Sequence, residues 1–198
     1  MNENKQLKVK DLVNIGVFSA LYMVISMIAM LPAGIAPIIW IMWPGLAGII
    51  CGVFYTMLMV KVRKAGTALI LSLITGILYF ATGECTWVIV ATCAVGGILA
   101  ELSRKVFGYQ TFKGIAVSGG LTAVGLIGSP LPMWLFQESY MKSIIEMGMA
   151  EDYVARLQAM TSVPTLIGMI IFAFVGGLLG TMIGHRMMKK HFRKAGIV

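Results

Sequence analysis

Between Tyr79 and Trp87 the chain reads Tyr-Phe-Ala-Thr-Gly-Glu-Cys-Thr-Trp, which sets a carboxylate, aromatic rings and two threonine hydroxyls between two long uncharged runs. No Asp, Glu, Lys or Arg occurs from Thr67 to Gly83 or from Cys85 to Ala100, so Glu84 sits at or just inside a membrane boundary. An uncompensated carboxylate there costs about 3 kcal/mol, and by default such a group marks an ion, proton or ligand site. The other reading is purely local: an acid just before a helix starting near Thr86 caps it and suits its dipole. Both readings stay open on the sequence.

Other residues able to contact a small molecule cluster at chain interruptions. Pro32, Pro37 and Pro44 bracket Trp40 and Trp43. Irregular backbone at membrane depth is tolerated only where protein buries it or it lines a watery cavity, so this stretch reads as an outer loop dipping back into the bundle. Its two tryptophans are either interfacial anchors or walls of a pocket. Gly128-Ser-Pro-Leu-Pro132 breaks another helix and frees carbonyls of the preceding turn to meet a ligand. If the outer helix ends converge on one mouth, Trp40, Trp43, Tyr79, Glu84, Trp87, Ser129, Trp134 and Gln137 are the candidate substrate contacts. Aromatic walls with a few polar groups are what a vitamin-sized site requires.

The elements that must position these residues follow from composition. Hydrophobic residues make up 59% and charged residues only 12% of 198 positions, against about 25% charged in soluble domains. The chain therefore reads as an all-α integral membrane protein with no room for a soluble catalytic domain. Six transmembrane helices fit its length, at about 12–31, 44–60, 67–83, 85–103, 113–130 and 164–184. The first apolar run is longer than a signal peptide's usual 7–15 residues.

The segment 137–162 is the one long polar connection. Tyr140, Ile144, Val154 and Leu157 recur there at helical spacing among charges, which describes one or two amphipathic helices on the outer surface, suited to act as a lid. The net charge of +8 is not a nucleic-acid signature, because fourteen of the sixteen Lys and Arg fall at alternate ends of the apolar runs. That asymmetry places both termini in the cytoplasm.

Three cysteines without CxxC, and two histidines inside a basic tail, indicate neither a metal site nor a disulfide framework. Glu101 beside Arg104 and Lys105 reads as an ion pair on a helical face. Gly16 and Ala20, four apart in the first span, give a small-residue face that serves either internal packing or contact with a partner protein. Motifs of membrane proteases, hydrolases and autonomous ATPases are absent, and no cofactor is indicated.

Six spans in about 200 residues, the basic start, Gly16-Val-Phe-Ser-Ala20, the Pro- and Trp-rich first loop and the long connection before the last helix resemble the substrate-binding S components of energy-coupling factor (ECF) transporters, and more narrowly the Trep_Strep family. Gly16 stands where that group's first-helix signature has alanine. The resemblance implies a subunit that binds a water-soluble vitamin or related micronutrient in the cell membrane. It further implies docking through Gly16 and Ala20 on a transmembrane coupling subunit energised by two ATPase subunits, so that the chain is not itself an enzyme. An accessory or assembly subunit without a small ligand is the alternative.

Overall fold

The structure is a computed structural model that describes residues 6–83 and 85–194, with side chains through 189. It is built of helices: α1 (Val9–Met30), a short 3-10 turn (Leu31–Gly34), α2 (Pro37–Lys61), α3 (Thr67–Ala81), α4 (Val88–Phe107), α5 (Phe112–Gly125), α6 (Pro132–Leu135), α7 (Gln137–Glu146), α8 (Glu151–Ala159) and α9 (Val163–Lys194). Among the described residues three stretches are long and apolar enough to cross a membrane: Val9–Gly34, Pro37–Lys61 and Val163–Lys189.

Glycine determines which helices form the centre. A Cβ on Gly176 would strike the Gly45 carbonyl, one on Gly180 the Gly48 carbonyl, and one on Gly184 the Val53 backbone at 2.9 Å. The matched positions rise together, so α2 and α9 run parallel with backbone against backbone. Lipid tails are as apolar as the helix surfaces, so close van der Waals approach of this kind holds membrane helices together.

Polar contacts fix the two ends of the bundle. At one end Lys64 reaches Asp11 at 2.7 Å and the Gln6 carbonyl at 2.9 Å, and the Phe112 ring stacks on His185 at 4.3 Å. This basic end gathers the starts of α1, α3 and α5 with the end of α2 and the C-terminal part of α9. At the far end Tyr153 donates to the Ala33 carbonyl at 2.6 Å, and the Trp134 indole donates to the Ser162 carbonyl at 3.0 Å. There α7 and α8 lie over the turn between α1 and α2. Their buried faces, Tyr140, Met141, Ile144, Tyr153, Val154 and Leu157, join a second core with Trp40, Ile41 and Met133.

Two expectations from the sequence are corrected. Trp40 and Trp43 lie not in a loop but inside α2, which starts at Pro37 and contains Pro44. Proline is well placed in a helix's first turn, and of the two available prolines the chain uses the earlier one. Glu101 does not pair with Arg104 or Lys105; its Oε2 accepts the Ala68 N–H at 3.1 Å, occupying one of the unpaired donors at the start of α3. Arg104 is fully buried against the Tyr109 ring at 5.0 Å, with Nε and Nη1 lacking hydrogen-bond partners.

Candidate functional site

Pro44 has no N–H, so the carbonyl of Trp40 loses the donor that a helix would normally supply four residues later. The indole of Trp40 is in a similar position: 6% exposed, its Nε1 is buried without a hydrogen-bond partner. A buried donor left unmade costs about 1–3 kcal/mol, so Trp40 is the polar group at the far end that most needs explaining.

Trp40 lines a cavity of about 580 Å³. The end of α1 contributes Met27, Ile28 and Met30, and Leu31 follows from the adjoining turn. The opposite wall is Tyr140 and Ile144 of α7, then Met147 and Met149 beyond its end. Gly148, between the two methionines, has φ +97° and open space around it. That left-handed geometry, which a side chain adopts only under strain, turns the chain from α7 into α8, and both flanking methionines line the cavity. The size lies within the range of small-molecule sites, and the lining has the usual apolar character with few polar groups.

Among the described residues, the sequence-derived candidates do not assemble into one site. Trp43 is fully buried; its Nε1 donates to the Ser26 carbonyl at 2.8 Å, and its ring meets Tyr79 edge-on at 5.7 Å. Tyr79 in turn shares a 2.6 Å hydrogen bond with the Ser26 hydroxyl. These two rings form a satisfied core between α1, α2 and α3. Trp87 is 60% exposed and tilts against Phe136 at 6.4 Å. Trp134 is spent on Ser162, Gln137 opens α7, and Ser129 is buried beyond α5. Glu84 lies outside the described residues.

The carbonyls freed at the end of α5 are taken up within the chain. That of Gly125 accepts the Thr92 hydroxyl at 2.7 Å, and those of Leu126 and Ile127 accept the N–H groups of Ser129 and Leu131. They offer a ligand nothing. Among the described sequence candidates, Trp40 alone lines this cavity. Its other walls were missed by sequence reading, although Met147 and Met149 bracketing a glycine just past an amphipathic helix were a usable signal.

On α1, a Cβ at Gly16 would meet nothing within 4 Å, and Ala20 is exposed. Internal packing therefore does not use this pair. The same flank carries Val13, Val17, Leu21, Val24 and Ile28, all at least 41% exposed.

A family described as hypothetical bacterial integral membrane protein (Trep_Strep) matches residues 9–194. No curated protein is matched, and neither is any solved structure.

Proposed function

We propose a function for a chain that belongs to the Trep_Strep family of bacterial integral membrane proteins: it is a membrane-embedded substrate-binding subunit of an ECF-type importer for a vitamin or related micronutrient. The observation that carries this reading is the cavity at the far end, roofed by the amphipathic α7 and containing a buried donor without a partner. A packed structural subunit has no use for such a hole, whereas a binding subunit requires one.

The open face of α1 supports the second half of the proposal. Gly16 and Ala20 leave a shallow strip that lets a partner helix approach closely. A transmembrane coupling subunit, itself driven by two ATPase subunits, docks there. The chain supplies recognition and its partners supply energy, so it catalyses no reaction of its own. Its basic end lies in the cytoplasm and its cavity faces outward.

Co-purification with a coupling subunit, measured beside ligand retention, tests the scheme. Gly16→Leu abolishes complex formation and uptake while the bound nutrient, read by native mass spectrometry, is retained. An accessory or assembly subunit also loses its partner in this variant but carries no small molecule in either form, and that outcome removes the importer reading.

A further inference from the structure

Resting on the reading of the far-end cavity as a nutrient site, we infer that its ligand is an uncharged molecule with a largely apolar body and a hydrogen-bond acceptor, taken laterally from the membrane rather than from water. None of the nine described lining residues carries a charge. Among the described residues that line the cavity, the one buried polar atom without a partner is the Trp40 Nε1–H, which only donates. The ligand must therefore present an acceptor, such as a carbonyl oxygen, at that point.

Charged ligands fit poorly. An ion entering an apolar cavity without a counter-charge forfeits its hydration. Of the charges on α7, Lys142 faces Glu146 at 3.9 Å on the exposed side of the helix and Glu138 is exposed, and none of the three lines the cavity. The Tyr140 phenol, whose pKa burial raises further above its ordinary value, adds no charge to the cavity at physiological pH.

Four methionines line the space. Their unbranched thioether chains repack around flat or flexible apolar bodies and contact ring edges favourably. The route of entry follows from exposure. Ile28 and Leu31, which line the cavity, are 59% and 76% exposed and continue the outward row of α1. Before the coupling subunit docks on α1, that row meets lipid in a bilayer, so in the unassembled subunit the cavity opens sideways into the apolar layer.

The test is equilibrium binding of tritiated duroquinone, a neutral tetramethyl quinone with two carbonyl acceptors that does not arylate thiols, to the full chain in nanodiscs, with empty nanodiscs subtracted. Saturable binding is expected, and excess thiamine or pantothenate should not displace it. Trp40→Phe keeps a ring and removes the N–H, and should weaken binding by about tenfold. Met147→Glu, at a position 69% exposed and so tolerant of change, should weaken it at least as much.

Absence of saturable duroquinone binding, or full affinity in Trp40→Phe, overturns the inference. Saturable binding of thiamine or pantothenate at this cavity also overturns it but leaves the importer reading in place. Phospholipid as the sole occupant, seen by native mass spectrometry of protein from its own membranes, overturns it as well. If that protein carries no small molecule and none of the three probes binds, both readings fall.

Discussion

Trp40 and Trp43 are three residues apart on one helix and have opposite fates. Trp43 finds the Ser26 carbonyl and the Tyr79 ring, while Trp40 finds a cavity and no partner. Trp43→Phe should therefore lower stability by about 2 kcal/mol through the lost hydrogen bond and the void left behind. Ligand affinity should not change. A thermal melt beside a binding isotherm checks this, and lost affinity with an unchanged melt would place Trp43 in the site instead. The sequence marks both tryptophans as notable because prolines flank them. It does not say which indole meets an acceptor, since Ser26 lies on another helix and only tertiary packing brings it there. Glu101 shows the same limit: its charged neighbours on α4 suggested an ion pair, but an unpaired N–H at the start of α3 took the carboxylate.

Helix existence was legible at the level of elements, because long uncharged runs between basic turns leave little else to form. Boundaries were harder. The chain tolerates Pro44 within α2, and the second half of the run that looked like a loop became about two turns of helix. The glycines of α9 looked alike in sequence but are not equivalent. Gly180 meets the backbone of Gly48 and Ile49, whereas a Cβ at Gly168 would meet nothing within 4 Å. Backbone cannot move aside as a side chain can, so Gly180→Ala should destabilise the fold by about 2 kcal/mol. Gly168→Ala should stabilise it by about 0.5–1 kcal/mol through helix propensity alone. Melting the two variants in one lipid preparation compares them directly, and equal effects would contradict the α2–α9 seam.

At the scale of the whole molecule, charge is separated along the bundle. Lys8, Lys10, Lys61, Arg63, Lys64, Arg104, Lys105 and Lys113 lie at the basic end, joined by Arg186 and Lys189 of α9. The far end holds Lys142 and Arg156, each beside an acid on its own helix, with Arg156 reaching Asp152 at 3.0 Å. Short basic connections are retained in the cytoplasm during insertion, so the far end with its cavity should face outward. Glu146 and Lys105 stand at opposite ends on exposed sites. Replacing the first costs little, because an exposed helical pair contributes only about 0.3–0.5 kcal/mol. On intact cells a membrane-impermeant maleimide should label Glu146→Cys above the background of the unaltered chain. Lys105→Cys should react only after permeabilisation, and the opposite pattern would turn the cavity toward the cytoplasm, where an importer's first binding step cannot occur.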